Sequence, residues 1–389
     1  MHRPEPKASL IITTYQMPRH LERVLASVAQ QTLARELEVI VSDDGSTDET
    51  QQLVETFSQR MPFPVHYVSH DHDGFQLARS RNRGVARSTS PHLVFLDGDC
   101  LIPPDHVEQH LRCHRPGIVT NTYCVRLDEP TSKKITLDQV NSRRYLDLVP
   151  RSELRKLAAI SRKAWFYSWL RHPSKPALRG GNVGLSRADY LRVNGYDENF
   201  RGWGCEDDDL GHRLRSAGLK IEYILHRTRT YHLWHPPAVT KPTRMRDGKN
   251  FQYLTRPIRL THCIRGVLPR SPRDLSIRLA GQPSDATLAG RFLAARSFLI
   301  EQQPQERADL EVLFWPGQGN FGGLADCRVL VVLDQDAASG RIPRLADIVL
   351  SPNGQVGLPN QIRLRLDDAT GLAGALGWQS PRHEQRKAA

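Results

Sequence analysis

Phe95-Leu96-Asp97-Gly98-Asp99-Cys100 sets two carboxylates one residue apart directly after the apolar run His92–Leu96. An apolar run of this length bounded by a turn reads as a buried strand. Two adjacent carboxylates at its end repel each other and raise a pKa unless a cation lies between them. A hard divalent ion, Mg²⁺ or Mn²⁺, takes oxygen ligands and could bridge to a diphosphate there. The alternative is a plain turn, since Asp and Gly are common turn formers.

The residues upstream repeat one order. "SLIITTY" reads as a strand, and "HLERVLASVAQQTL" carries Leu21, Val24, Leu25 and Val28 at helical spacing. "LEVIVSDDGSTDETQQLVETF" is again strand, turn and helix, with the helix starting in the cluster Ser46–Asp48. "FPVHYVSH" and "QLARSRNRGVARS" continue the alternation to the strand ending at Asp97. Continuously apolar strands separated by helices predict an α/β fold, a mostly parallel Rossmann-like sheet with helices on both faces. Ligands in such folds bind beyond the carboxyl ends of the strands, where Asp43, Asp44, Asp97 and Asp99 fall.

The chain has 389 residues, 39% hydrophobic and 25% charged, which is enough for two domains with ordinary cores. Its formal net charge of +12 favours anionic partners, nucleotides or phospholipid headgroups among them. No run of apolar residues is long enough to span a bilayer, and the N-terminus lacks the sections of a signal peptide. A cytoplasmic protein is expected, with contact at the inner face of a membrane an open option. The six cysteines show no CxxC pair and read as reduced thiols.

"IITTYQ", "VIVSDDGSTDET", "DGFQLARSRNRGVA" and "LVFLDGDC" together resemble, in this order, the nucleotide-sugar-binding half of family 2 glycosyltransferases with the GT-A fold. "LDGDC" stands where that family has its DxD motif. The resemblance implies that Thr13, Tyr15 and Asp44 lie against the base and ribose of a UDP-sugar. It brings Gln76 and Arg81 to the nucleotide, Asp97 to the ribose or metal, and Asp99 to the metal.

A second cluster, "GGNVGLSRADYLRVNGYDENFRGWGCEDDDL", precedes a helix with Leu210 and Leu214 inward and a stop at Gly218. Four acids at a helix start fit the macrodipole and capping, and exceed what a cap requires. The cluster is similar to the C-terminal signature of β-1,4-galactosyltransferases and bacterial chondroitin-polymerase-type enzymes, a GWGxED segment. That match implies Asp207 as general base, Glu206 as a ligand of the acceptor hydroxyl or a residue shaping the site, and Trp203 stacked on the acceptor sugar. The following run, "KIEYILHRTRTYHLWH", reads as one further strand, and the match implies His232 in it as a third metal ligand, with His235 in reserve. An imidazole in the set suits Mn²⁺ better than Mg²⁺. Displacement assisted by one base implies inversion at the anomeric carbon.

Between the clusters, residues 138–176 are basic and group Trp165, Phe166, Tyr167 and Trp169. They read either as an interfacial helix near a lipid-linked acceptor or as a helix packing its aromatics on the catalytic domain. The domain boundaries expected are 1–245 for catalysis and 246–389 for a small α/β domain whose last residues are disordered. "RFLAARSFLIEQ", "LEVLFW", "CRVLVVLD" and "LADIVLS" read there as a helix and several strands, and "PGQGNFGG" as a loop without ligand.

The expected activity is therefore inverting, metal-dependent sugar transfer from a nucleotide donor to a glycan or lipid-linked saccharide. The donor is most expected to be a UDP-sugar, and no specific nucleic acid is involved. A nucleotidyltransferase would also use paired Asp and a metal, and would release pyrophosphate. A protein binding polyanions by charge alone would not need Asp97 or Asp99.

Overall fold

The computed structural model describes residues 5–271, 274–280, 282–283, 299–300, 307–315, 317–333 and 343–378. The chain forms two compact units, one of Met1–Thr255 with Arg265–Val267, the other of Arg256–Ile264 with the residues from Leu268 on.

Among its described residues the first unit carries ten strands: β1 (Ala8–Thr14), β2 (Leu37–Asp43), β3 (Val65–Ser69), β4 (His92–Asp97), β5 (Cys100–Leu101), β6 (Ile118–Asn121), β7 (Cys124–Arg126), β8 (Asn182–Ser186), β9 (Lys220–Tyr223) and β10 (Thr230–His232). Seven build the main sheet in the order β3-β2-β1-β4-β8-β6-β9. β3, β2, β1 and β4 run parallel, β8 is antiparallel to both β4 and β6, and β6 is parallel to β9. The parallel part follows the strand and helix alternation of the first hundred residues, because a parallel pair requires a crossover.

Alternate residues of one strand enter different cores. Leu10 and Ile12 of β1 pack with Leu21, Val24, Leu25 and Val54 of the helices Pro18–Val28 and Thr50–Ser58. Ile11 packs with Ala78 and Val85 of the helix Leu77–Arg87 and with Leu210 and Leu214 of the helix Glu206–Ser216. The sheet is thus covered on both faces, as continuously apolar strands require.

Three local readings shift. The second helix begins at Thr50, after Asp48 Oδ1 has taken the Thr50 N–H at 3.0 Å, so the Ser46–Asp48 cluster is the turn before it. The run from Lys220 to His235 is two strands, and the second, β10, pairs with β5 and β7 in a separate small sheet. In the helix Arg151–Trp169 only Leu157 and Ala164 are buried. Trp165, Phe166 and Trp169 are exposed, so their packing against the catalytic body is corrected.

The second unit contains a six-stranded sheet, all parallel, built from Ser276–Leu279, Leu299–Ile300, Ala308–Trp315, Ala325–Val332, Ile348–Ser351 and Ile362–Arg365. Its strands take up "LEVLFW", residues 327–332 of "CRVLVVLD" and residues 348–351 of "LADIVLS". The helix expected at "RFLAARSFLIEQ" and the tail "SPRHEQRKAA" fall outside the described residues, apart from the strand Leu299–Ile300. In "PGQGNFGG" the amides of Gly322 and Gly323 point at Glu311 Oε1, at 3.1 and 2.7 Å. A carboxylate already occupies that turn.

Candidate active site

β1 and β4 end together, with Thr13 paired in register to Asp97. The chain then folds back at Gly98, whose N–H donates to the Thr13 carbonyl at 2.8 Å. A Cβ on Gly98 would sit 2.8 Å from that same oxygen, so glycine between the two aspartates is a steric requirement. The turn projects Asp97 and Asp99 in different directions.

Asp97 faces Arg81, which the helix Leu77–Arg87 delivers from the neighbouring crossover. The guanidinium is buried and donates from Nη2 to Asp97 Oδ1 (3.1 Å) and from Nη1 to Asp207 Oδ1 (2.9 Å), with Glu206 Oε1 at 3.8 Å. Tyr196 closes the cluster: its hydroxyl donates to Asp207 Oδ1 at 3.2 Å, and its ring lies 4.8 Å from the guanidinium carbon. Burial works against the Arg81 charge, but Tyr196, Asp207, Asp97 and Glu206 outweigh it and hold the proton more firmly than usual. Burial and repulsion from Asp99 and Asp207 raise the Asp97 pKa against the pull of Arg81. Glu206 is pushed up to about 8, first by burial and then by Asp207. Among the described residues its Oε2 has no hydrogen-bond partner.

Asp99 faces two imidazoles. His235 Nε2 lies 3.1 Å and His232 Nε2 3.5 Å from Asp99 Oδ2. Burial alone would raise the Asp99 pKa, but His235 and His232 bring it down to about 2. The carboxylate in turn raises His235. Ligand atoms of Asp99, His232 and His235 lie within 4.8 Å of one another, and so do those of Asp97, Asp99 and Cys100. One or two carboxylates with two imidazoles are a donor set that fits a divalent first-row metal.

The four acids of "EDDD" divide. Glu206 and Asp207 turn into the cluster, whereas Asp209 is fully buried against Arg213 (2.7 Å), which also donates to the carbonyls of Val193 and Gly195. Asp208 lines a separate cavity of about 130 Å³ with His212 and Arg215. The loop ahead of the helix has positive φ at Gly202, Gly204 and Cys205. Asn250 latches it by donating to the carbonyls of Gly202 (3.2 Å) and Gly204 (2.9 Å). This presents Trp203 to a cleft of about 440 Å³ shared with Phe75, Arg201 and Lys249. Lys241 lies 5.2 Å over the indole.

On the other side of the site, Asp44 is buried and accepts from the backbone N–H of Gln76 at 2.9 Å. The Gln76 side chain donates to the Asp73 carbonyl. Tyr15 stacks on His72 with ring centroids 4.2 Å apart. Thr13, Tyr15, Asp44 and Gln76 thus border the strand ends, while Arg81, Asp97, Glu206 and Asp207 form one hydrogen-bonded and ionic group.

Sequence reading passed over Tyr196 and the pair Gly180-Gly181. A Cβ on Gly180 would overlap Asp207 Oδ1, and one on Gly181 would overlap Asp97 Oδ2. The available signal was a doubled glycine directly before a β-rich run, which marks close approach of backbone to another group.

Residues 9–166 match the family model described as glycosyl transferase family 2, and residues 163–236 match one described as the N-terminal domain of galactosyltransferase. The chain is 33% identical over 234 residues to validoxylamine A glucosyltransferase of Streptomyces hygroscopicus subsp. jinggangensis, covering 56% of this chain and 53% of that protein. It is 26% identical over 255 residues to a chondroitin synthase of Escherichia coli, covering 62% and 37%. The chain therefore spans about half the length or less of these curated relatives. Among solved structures it is similar to a mannosyltransferase of Pyrobaculum calidifontis (18% identity, TM-score 0.43, 61% of this chain and 59% of that one). Two overlapping family models, glycosyl transferase family 2 and the N-terminal domain of galactosyltransferase, thus cover residues 9–236 of the first unit, and both halves of the site lie inside them.

Proposed function

We propose that the first unit transfers a sugar from a nucleotide donor, UDP-linked in the first instance, to a hydroxyl of a glycan or lipid-linked saccharide, with inversion. The observation that carries this reading is the Arg81 cluster, which ties the strand-end Asp97 to Asp207 of the acceptor-side helix through one guanidinium.

A sugar hydroxyl is a poor nucleophile until its proton is removed. Arg81 and Tyr196 both bind Oδ1 of Asp207, which orients the carboxylate and leaves Oδ2 to take that proton. Glu206, with its pKa near 8, is mostly protonated at neutral pH and offers the unpartnered Oε2 to an acceptor hydroxyl. Trp203 supplies an aromatic face for the acceptor ring. Tyr15, with His72 behind it, offers a stacking surface for the base. Asp44 and Thr13 flank the ribose, and Gln76 borders the nucleotide at the start of its helix. Asp99, His232 and His235, with Asp97 beside them, would hold Mn²⁺ or Mg²⁺, which when bound neutralises charge developing on the leaving diphosphate.

No described helix is long and apolar enough to cross a membrane. A cytoplasmic site of action remains part of the proposal.

UDP release from a panel of UDP-sugars with Mn²⁺, beside an EDTA control, tests the reading. Release from one or two donors that EDTA abolishes is the expected result. Pyrophosphate release from nucleoside triphosphates, or UDP affinity unchanged by Mn²⁺ and by Asp99→Ala, would overturn it.

A further inference from the structure

The helix Arg151–Trp169 buries only Leu157 and Ala164, and its opposite face is left to solvent. At about 100° per residue, Trp165, Phe166, Trp169 and Leu170 share one arc of roughly 140°. Trp165 is 69% and Trp169 65% exposed, and Phe166 and Leu170 are about half exposed. Isolated exposed apolar residues are ordinary, whereas four contiguous large ones mark an interaction surface.

Charge narrows the partner. Residues 151–171 carry six Lys or Arg against the single acid Glu153. By the same rotation Arg151, Arg155, Arg162 and Lys163 fall on or beside the aromatic arc. Glu153 lies off it and pairs with Lys156. Among the described residues no carboxylate pairs with Arg155, Arg162 or Lys163, and Lys163 reaches back over the Tyr167 ring at 5.7 Å. A face with aromatic and aliphatic side chains at its C-terminal end and uncompensated cations along it complements an anionic bilayer surface. There the rings enter the headgroup and acyl boundary while arginines meet phosphates. A self-associating copy would bring the same cations together.

We propose that this face docks the protein on anionic phospholipid membranes, lying on the surface without crossing it. The proposal is independent of the sugar-transfer reading, because none of these residues belongs to the Arg81 or Asp99 clusters.

The test is co-sedimentation of the full chain with phosphatidylcholine vesicles with and without 30 mol% phosphatidylglycerol, in low and high salt. The expected result is binding to the anionic vesicles alone, weakened by salt. Trp165→Ser with Trp169→Ser should abolish it, and Arg162→Glu with Lys163→Glu should weaken it by about twentyfold or more. UDP release from soluble donor should stay at the parent level in both variants, which separates this outcome from failure of the catalytic reading. Equal binding of parent and variants, no binding to anionic vesicles at low salt, or a dimer that the tryptophan substitutions dissociate would each overturn the proposal.

Discussion

Both units bury carboxylates beside arginine, and they use them differently. In the second unit Asp309 is saturated: Oδ2 accepts from Arg270 (2.7 Å), the Ser276 amide (2.8 Å) and the Ser276 hydroxyl (3.0 Å), and Oδ1 takes a second Arg270 bond at 3.2 Å. In the first unit Arg81 serves Asp97, Asp207 and Glu206 at once, and among the described residues Glu206 Oε2 has no partner. A saturated carboxylate has nothing left for a ligand and stabilises its fold. A group with more negative charge than its arginine can match stores repulsion, and a substrate or metal can relieve it.

The sharpest way to break this contrast is a pair of substitutions. Asp207→Asn should lower sugar transfer by about 10²–10⁴-fold, the range for losing a general base. Its melting temperature should hold or rise, since one of the two carboxylate charges crowded on Arg81 is gone. Asp309→Ala should do the reverse for stability, because it strands Arg270, whose side chain is only 9% exposed, at a cost of roughly 3–5 kcal/mol. Thermal melts beside UDP-release assays give both readings. If Asp207→Asn melted as early as Asp309→Ala, the Arg81 cluster would be structural and the distinction would fail.

Glycines give the next contrast. Gly181→Ala puts a methyl onto Asp97 Oδ2 and must shift the β4 end or the loop before β8. A displacement near 1 Å at a reacting centre costs on the order of 100-fold in rate. Gly374, in the helix Ala369–Ala375 of the second unit, has open space where its Cβ would be. Gly374→Ala should leave turnover unchanged and gain up to about 1 kcal/mol of helix stability. Equal turnover in the two variants would show that the approach of Gly181 to Asp97 is immaterial.

The parallel core was legible because β1 through β4 alternate with helices whose apolar spacing is plain, and because Asp44, Asp97 and Asp99 fall at strand ends. Asp207 and His232 came with the motif resemblance. What joins them was not legible. Arg81 sits in "QLARSRNRGVARS", where four arginines look alike; the resemblance singled it out for the nucleotide, and its bridge from Asp97 to Asp207 became evident only in the fold. Tyr196 reads as an ordinary aromatic in a loop. The roles of the four acids at 206–209 depend on which way a helix start faces, which periodicity alone leaves open. Residues from about 246 on carry no recognisable motif, and their parallel sheet became evident only from strand pairing.

Histidines extend the comparison to pH. His92 and His106 are buried away from any carboxylate, and burial lowers both to about 3. His235, by contrast, is raised by Asp99. For His92 and His106 the folded state binds a proton less readily than the unfolded chain, whose value is 6.5. Their contribution to stability is present above pH 6.5 and is lost as pH falls towards 3, with a slope of up to about 1.4 kcal/mol per pH unit for each proton. Melting temperature should therefore drop steeply between pH 6 and pH 4. His92→Asn should flatten the drop, and a profile unchanged by that substitution would remove His92 as a cause.

The smallest effect is expected at Glu206. If the neutral acid is the working form, glutamine keeps its shape and a donor, so Glu206→Gln should retain turnover within about tenfold of the parent at pH 7. Asp207→Asn, one residue away, should not. The two also part in their pH dependence. With a folded value near 8 against an ordinary 4.5, Glu206 holds its proton more tightly in the folded state. That contribution is complete below about pH 4.5 and is gone once pH exceeds about 8. The parent should lose melting temperature relative to Glu206→Gln across that window, and the gap should close on acidification. A Glu206→Gln variant as inactive as Asp207→Asn would mean that the ionised form is needed, and the two acids would then act as a pair sharing one proton.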